Sequence, residues 1–409
     1  MKQTKLIGPF RQLLSMQDLP IKGALKDEQL TIIENAGILV SEGVIAAVGG
    51  FTDLKAKADH IETITHDAVC IPGFVDAHTH ICFGGSRAND FAMRNAGSSY
   101  LEIAKAGGGI WDTVTKTRKE SETALIAGIL KRSQEHLQLG VTTIEVKSGY
   151  GLSIEQELKM LRAIKTAAAA STQDIVTTCL AAHMVPKDWS GTAEAYLSEM
   201  GQHLFPVLKS ENLTQRIDAF IEESAFTAKQ IAPYFKKAQQ LGFDITVHAD
   251  QFSAGGSQVA VDFNALSADH LEASTQKEVE LLAKSNVVAT ALPGASIGLG
   301  CDFTPARKLL DAGASLAIAS DHNPGSAPMG NLLTQACILA TFEKLSNAEV
   351  LAGLTFRAAA ALKLKDRGVL ERGKKADFMV FDTSNYQEIT YHQGQLRPSM
   401  VFKNGEKAF

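Results

Sequence analysis

Short apolar runs alternate with longer amphipathic stretches through the middle of the chain. Most of these runs are apolar without a regular alternation and contain β-branched residues, which is typical of strands buried on both faces of a parallel sheet. The predicted strands cover residues 74–80, 141–147, 175–183, 217–221, 244–248, 265–270, 287–292 and 316–321. Because strand and helix patterns alternate about eight times, the sequence predicts an α/β fold with a TIM-like (β/α)8 barrel.

Two of the helical stretches carry clear signals at their ends. Ser153 with Gln156 has the spacing of a capping box, and apolar residues follow it on one helical face. Thr227 opens a second predicted helix, which Gly242 is expected to end. Both helices fall between predicted strands, as a barrel requires.

The two ends of the chain have a different pattern from the middle. Residues 37–45 and 377–382 have the pattern of short strands, and Asn404-Gly405 predicts a hairpin. Neither end is long enough to form a core of its own. We therefore predict that residues 1–70 and 366–409 form one composite β-sandwich domain, beside a barrel domain of residues 71–365.

Composition narrows the class of protein. The chain has 409 residues, 45% of them hydrophobic and 21% charged, as expected of a globular barrel with added material. A net charge of -5 gives no electrostatic reason to expect nucleic acid or a membrane surface as partner. The five cysteines are scattered, which predicts reduced thiols in a cytoplasmic protein. No apolar run reaches the length of about 18 residues that a membrane span needs.

Histidine and aspartate residues stand at the ends of several predicted strands. His78 and His80 end the first strand, and their spacing of two places both imidazoles on the same side of an extended chain. His248, His270 and Asp321 end the fifth, sixth and eighth strands. Strand ends meet on one face of a barrel. We predict that His78, His80, His248 and Asp321 bind one divalent ion, zinc or iron, with a position left open for water.

These residues lie in segments that resemble the amidohydrolase superfamily over essentially the whole chain. The general resemblance is carried by residues 72–80 together with His248, His270 and Asp321. More specific segments are residues 83–87, 99–104, 107–110, 145–152 and 320–326. These segments are similar to the family that opens the ring of 4-imidazolone-5-propanoate in histidine degradation.

The resemblance implies hydrolysis of 4-imidazolone-5-propanoate to N-formimino-L-glutamate, and it suggests a homodimer. Asp321 and His270 would be catalytic. Asp321 would take the proton of the attacking water, and His270 would orient that water or stabilise the developing oxyanion. Family positions that contact substrate or product are matched by Arg87, Tyr150, His183, Gln251, Asn323, Gly325 and Ser326. Arg87 is suited to the propionate or another oxygen; Tyr100 could also reach the ligand.

Two departures from related enzymes bear on the reaction and on the number of ions. Several related deaminases carry a glutamate three residues after the histidine of strand five, where this chain has Gln251, and a neutral amide cannot act as a carboxylate base. Two-metal members use a carboxylated lysine from strand four, but residues 217–221 contain no lysine. Lys147 ends strand two, so one ion is predicted.

Two other functions stay open at this point. The first is another cyclic amidohydrolase or a heterocycle deaminase, against which Gln251, Arg87 and residues 147–151 argue. The second is a non-catalytic barrel that serves as a binding module. Loss of any ligand residue would favour that function, but all four are present.

Overall fold

Two eight-stranded sheets organise the chain, one built from both chain ends and the other from the middle. The structure, a computed structural model, describes residues 3–223 and 225–409. The sheet of the chain ends begins with β1 (Thr4–Leu14), β2 (Ile32–Ser41), β3 (Val44–Gly50), β4 (His60–Thr63) and β5 (Val69–Pro72). Strand β1 pairs antiparallel with β2 and parallel with β4 and β5.

The second sheet is parallel throughout and follows the first directly along the chain. Its strands are β6 (Phe74–Asp76), β7 (Val141–Lys147), β8 (Asp174–Ala182), β9 (Arg216–Phe220), β10 (Asp244–Ala249), β11 (Ser267–His270), β12 (Val288–Ala291) and β13 (Ser315–Ile318). Each strand pairs with the next in sequence order. Just beyond β6 and β13, the amide of Asp321 donates to the carbonyl of His78 at 3.0 Å. This bond brings the first and last strands together, and the predicted (β/α)8 barrel is confirmed.

Three strands from the end of the chain complete the first sheet. They are β14 (Phe378–Phe381), β15 (Met400–Lys403) and β16 (Glu406–Lys407). Strand β14 pairs antiparallel with β5, so the two chain ends share one sheet. The predicted hairpin at Asn404 and Gly405 is confirmed, and both residues have positive φ, 52° and 76°, as a tight hairpin turn requires. The domain boundaries at residues 70 and 366 stay a prediction.

Most of the helices surround the barrel strands and connect them, whereas the first one packs against β1, β2 and β3 of the sheet of the chain ends. The helices are α1 (Phe51–Leu54), α2 (Ala88–Asn95), α3 (Tyr100–Lys105), α4 (Ile110–Lys119), α5 (Glu122–Gln138), α6 (Ile154–Ala170), α7 (Ala193–Glu199), α8 (Phe205–Ser210), α9 (Ala228–Gln240), α10 (Gly256–Asp262), α11 (Gln276–Ala283), α12 (Pro293–Leu299), α13 (Ala306–Asp311), α14 (Leu332–Glu343), α15 (Asn347–Leu354), α16 (Phe356–Ala361) and α17 (Gln387–Tyr391). Short 3₁₀ or π turns cover Asp27–Gln29, Lys55–Lys57 and Met200–Leu204. Within the described ranges, no helix is both long and apolar enough to cross a membrane.

The predicted helix ends are correct in all but one detail. Thr227 and Gln230 form a reciprocal capping box at α9, and Gly242, with φ of 74°, follows the end of that helix. Ser153 caps α6 by accepting from the amide of Gln156. The second hydrogen bond of the predicted capping box, from the Ser153 amide to the Gln156 side chain, is not formed. The side-chain oxygen of Gln156 is buried without a hydrogen-bond partner among the described residues.

A cluster of ionic side chains joins the barrel to the sheet of the chain ends. Asp174, the first residue of β8, lies 2.7 Å from the Nζ of Lys375 and 2.8 Å from the Nζ of Lys403. Arg367 also contacts the same carboxylate. Burial alone would raise the pKa of Asp174, but Lys403, Lys375 and Arg367 outweigh it and hold that pKa well below its usual range.

We expect Asp174→Asn to lower the free energy of unfolding at pH 7 by about 1–2 kcal/mol, a value reduced for partial solvent exposure. A carboxyl with a depressed folded-state pKa stabilises the fold above its unfolded pKa of about 3.9. That contribution is lost as pH falls through the lower folded-state pKa. Urea unfolding of wild type and variant between pH 3 and 7 should therefore show a difference that shrinks below about pH 4.

The matched control is Asp244→Asn at the start of β10, where the carboxylate pairs with the exposed Lys363. An exposed pair contributes little, so this variant should stay within about 0.5 kcal/mol of wild type. Equal midpoints for Asp174→Asn and wild type at pH 7 would show that the cluster does not stabilise the fold.

Candidate metal centre and active site

Three imidazole nitrogens and one carboxylate oxygen converge beyond the carboxyl ends of the barrel strands. The Nε2 atom of His80 lies 3.2 Å from Nε2 of His78 and 3.3 Å from Nε2 of His248. The Oδ1 atom of Asp321 lies 3.7 Å from Nε2 of His78 and 3.5 Å from Nε2 of His80. All four side chains are buried. The structure therefore brings together the four residues predicted to bind an ion.

The backbone that carries the first two histidines differs from the prediction. The expected strand 74–80 is too long, since β6 ends at Asp76. Thr79, between the two histidines, forms an isolated parallel bridge with His322, which follows β13. Pairing with this segment, rather than a continuous strand, keeps His78 and His80 on the same side.

Carboxylates behind the histidines set which ring nitrogen faces inward. Nδ1 of His78 donates to Oδ2 of Asp269 at 2.7 Å, and Nδ1 of His248 lies 2.9 Å from Oδ2 of Asp218. A proton held on Nδ1 leaves the Nε2 lone pair free for an ion.

The histidines are neutral at physiological pH, as metal ligands must be. Burial holds the pKa of His78 and His80 well below the usual range. Burial also lowers the pKa of His248 to about 4, although Asp218 opposes that shift. Unprotonated nitrogens this close together repel one another, so the arrangement suits a cation between them. The residues present therefore fit a divalent metal ion, which His78, His80 and His248 could hold.

Asp321 is held in a strained conformation with its two oxygens in different surroundings. Its φ of 52° is uncommon for a residue other than glycine and is a kind of strain found at functional sites. Oδ2 accepts from Nδ2 of Asn323 at 2.9 Å, while Oδ1 faces the histidines. Burial raises the pKa of Asp321 to about 7, although the His270 imidazole opposes this. A carboxyl of this kind is suited to moving a proton at neutral pH.

His270 has a carboxylate partner that the sequence reasoning missed. Its Nδ1 donates to Oε1 of Glu272 at 3.4 Å. Burial would lower the pKa of His270, but Glu272 outweighs it and raises that pKa above the usual value. His270 and Leu271 also have positive φ, 89° and 73°. The imidazole is therefore positioned by both the backbone and Glu272.

A cavity of about 590 Å³ opens above these residues. This volume is in the range of pockets that bind small molecules. Its wall includes His80, His248, His270 and Asp321, with the predicted contacts Arg87, Tyr150, His183, Gln251, Asn323 and Ser326. Of the described residues predicted for the site, His78 and Gly325 are not on this wall. The side chain of Tyr100 lies outside the described part of the structure.

Arg87 is both part of the cavity wall and a member of an ion pair. Its Nε donates to Oδ2 of Asp90 at 2.8 Å. Its guanidinium packs against Gly325, where an added Cβ would lie 2.2 Å from Nη1. Gly325 thus makes room for Arg87 because it has no side chain.

A loop after β7 carries Tyr150 and is anchored by a buried carboxylate, Glu157. The amides of Gly149, Gly151 and Leu152 donate to Oε1 of Glu157 at 3.2, 2.8 and 2.8 Å. The carbonyl of Gly149 accepts from Nδ1 of His183 at 2.9 Å. The same loop therefore positions two predicted substrate contacts.

The supporting carboxylates were missed by the sequence reasoning, although the sequence contains a signal for them. Glu145, Asp218 and Asp269 each stand inside a predicted strand, and all three side chains are buried. A charged residue in such a strand must have a partner, because an unpaired buried charge is costly. Only the fold shows which histidine each carboxylate supports.

The sequence matches a known protein family and its named relatives. The model of the amidohydrolase family matches residues 69–408. Imidazolonepropionase of Acinetobacter baumannii (strain AB307-0294) is 40% identical over 387 residues, which are 94% of this chain and 96% of that protein. Imidazolonepropionase of Fusobacterium nucleatum subsp. nucleatum is 39% identical over 390 residues, 94% of each chain.

A solved structure of an adenosine deaminase from Xanthomonas campestris with bound zinc has a TM-score of 0.72 and 19% identity. It covers 98% of this chain, which matches 92% of that one, and the similarity shows the shared fold. The family match and the two imidazolonepropionases show that the chain belongs to the amidohydrolase family, and within it to the imidazolonepropionases.

Proposed function

We propose that this chain hydrolyses the ring amide C–N bond of 4-imidazolone-5-propanoate and releases N-formimino-L-glutamate, a step in histidine degradation. The observation that carries the proposal is the convergence of His78, His80, His248 and Asp321. The last three of these residues lie on the wall of a cavity that also includes Arg87. Relatives at 37–42% identity over 89–99% of this chain carry the name imidazolonepropionase.

One zinc or iron(II) ion per chain would be held by His78, His80, His248 and Asp321. When bound, such an ion supplies Lewis acidity that lowers the pKa of water and polarises a carbonyl group. We do not expect a second metal ion, because a two-metal site would need a carboxylated lysine as a bridging ligand. The ammonium of Lys147 lies 2.9 Å from carboxylate oxygens of Glu145 and Asp218, which keep it protonated.

The proton transfers fall to side chains of this chain. Water adds to the ring carbonyl carbon, and its proton passes to the Asp321 carboxylate. The same proton then passes to the leaving ring nitrogen as the C–N bond breaks, so the carboxylate is regenerated. Asn323 holds Oδ2 of Asp321 in place during both transfers. His270, oriented by Glu272, is placed to stabilise the developing oxyanion.

The cavity wall provides contacts for the two ends of the substrate. Arg87 offers guanidinium donors to the propionate or to another substrate oxygen. The rings of Tyr150 and His183, 5.6 Å apart, form a wall beside His80 on which a planar ring can lie. Gln251 adds a neutral amide to the wall. Asn323, Gly325 and Ser326 form the loop that we expect the product to contact.

A substrate panel tests the reaction class. The purified chain would be given 4-imidazolone-5-propanoate, other five- and six-membered cyclic amides, and aminopurines. We expect turnover of the imidazolone, with formation of N-formimino-L-glutamate and no release of ammonia. Faster ammonia release from an aminopurine would instead make the chain a deaminase.

Arg87→Gln is expected to raise KM by about 10- to 100-fold with a smaller effect on kcat, because a charged hydrogen bond contributes about 1.5–3 kcal/mol. Steady-state kinetics on the imidazolone measures the change. The matched control is Arg162→Gln, which breaks an exposed pair with Glu211. Neither residue lies on the cavity wall, so KM should stay unchanged. If the KM of Arg87→Gln equals that of wild type, Arg87 does not bind the substrate and serves only as the ion-pair partner of Asp90.

We also propose that the chain forms a homodimer and is located in the cytoplasm. A homodimer is expected from the resemblance, and light scattering on a sizing column would measure it. A cytoplasmic location is supported by the thiols: all five cysteines are free, and four of them are buried.

A further inference from the structure

Beneath the three histidines, one lysine lies fully buried among carboxylates. Lys147, the last residue of β7, has no exposed side-chain surface. Its Nζ lies 2.9 Å from Oε1 of Glu145, 2.9 Å from Oδ2 of Asp218 and 4.0 Å from Oδ2 of Asp269. These three carboxylates come from three strands, β7, β9 and β11. The ammonium therefore holds together acidic side chains that would otherwise repel one another in a buried site.

Each of the three carboxylates touches a different part of the histidine cluster. Asp269 accepts from Nδ1 of His78 at 2.7 Å. Asp218 lies 2.9 Å from Nδ1 of His248 and also accepts from the His248 amide at 3.3 Å. Glu145 accepts from the amide of Thr79 at 3.1 Å.

Thr79 is the residue between His78 and His80, and its hydroxyl also donates to the carbonyl of Glu145 at 2.6 Å. Glu145 therefore fixes the backbone that carries both of these histidines. Through the three carboxylates, Lys147 is linked to every histidine of the cluster.

The geometry points to Lys147 as a positioning residue that orients all three metal-binding histidines through Asp269, Asp218 and Glu145. The inference rests on the proposed metal centre, and it assigns to Lys147 a role in metal affinity instead of direct contact with the ion or the substrate. Partners behind metal ligands typically change metal affinity by about 10- to 100-fold when they are removed. Loss of the ammonium should therefore weaken metal binding even though every ligand is still present.

The first test measures metal affinity without turnover. Metal-free wild type and Lys147→Met would be titrated with zinc against a chromophoric chelator, because methionine keeps the length of the side chain and removes its charge. We expect the zinc Kd to rise by about 10- to 100-fold. Cobalt-loaded samples should also differ in their visible absorption bands, which report ligand geometry. An unchanged zinc Kd would overturn the inference.

One further variant separates positioning from folding when it is compared with Lys147→Met. Lys147→Met combined with Glu145→Gln removes one positive and one negative charge, and it keeps an acceptor for the Thr79 amide. A folded double variant with weakened zinc binding supports the inference, and one with wild-type Kd overturns it. If neither variant shows the wild-type circular dichroism spectrum, Lys147 is required for the fold itself and the inference fails.

The control is Lys159→Met. The Nζ of Lys159 donates to the backbone carbonyls of Thr117, Arg118 and Glu120, away from the histidine cluster. This variant should lose some stability and keep the wild-type zinc Kd. If the wild type itself binds no zinc, cobalt or iron(II), the metal centre of the proposed function fails. If wild type and Lys147→Met bind zinc equally, only the role of Lys147 fails.

Discussion

Asp321→Asn is expected to reduce kcat by about three orders of magnitude and to leave the fold intact. General acid–base catalysis contributes about 10²- to 10⁴-fold, and Asp321 is proposed to carry the proton in both directions. Asparagine preserves the size of the side chain and can still accept from Asn323, which holds Oδ2 at 2.9 Å in the wild type. An amide, however, cannot accept and return a proton. Steady-state kinetics with circular dichroism on the same samples measures both effects.

The control for this variant is Asp302→Asn, which removes the same charge from an exposed side chain next to Cys301 of the cavity wall. Its kcat should stay within about twofold of wild type, since exposed charges away from the chemistry contribute little. The metal content of Asp321→Asn must also be measured, because Asp321 is a proposed ligand. A metal-loaded Asp321→Asn with near-normal kcat would remove Asp321 from the proton transfers.

Removal of the metal ion is expected to reduce activity at least about a hundredfold. A bound ion provides several kcal/mol of transition-state stabilisation, and each 1.36 kcal/mol corresponds to a tenfold change in rate. Dialysis against a chelator should inactivate the enzyme. Titration with zinc or iron(II) should then restore activity with an end point near one ion per chain. The metal that restores the higher kcat/KM is the one to assign to the site.

The stoichiometry of reactivation distinguishes the proposed site from its alternatives. An end point near two ions per chain would contradict the single site inferred from the ion pairs of Lys147 and from the absence of lysine in β9. Full activity in the metal-free protein would contradict the metal centre altogether. A chain that binds an ion but turns over none of the panel would favour the binding module.

Much of the barrel could be predicted because its strands are buried on both faces. The runs at 141–147 and 244–248 appear as Val141–Lys147 and Asp244–Ala249, almost unchanged. The run at 74–80 was too long, because hydrophobicity and β-branching do not show where pairing ends. Strand β6 stops at Asp76, since the next residues pair only through the bridge of Thr79 with His322.

The convergence of the four proposed ligand residues could be predicted from their positions, but the residues that support them could not. His78, His80 and Asp321 follow strands and His248 lies near the end of one, and the carboxyl ends of these strands lie on one face of a barrel. Lys147 and Glu157 make their contacts across loops and strands that sequence spacing does not bring together. Their partners depend on the curvature of the closed sheet. The substrate roles of Arg87, Tyr150, His183, Gln251, Asn323, Gly325 and Ser326 stay predictions.

The measurement that tests the central claim most directly is a spectrophotometric assay with 4-imidazolone-5-propanoate, combined with metal analysis of the same sample. The expected result is loss of the imidazolone absorbance, formation of N-formimino-L-glutamate and about one zinc or iron ion per chain. A metal-loaded, folded chain that leaves the imidazolone unchanged would contradict the proposed reaction.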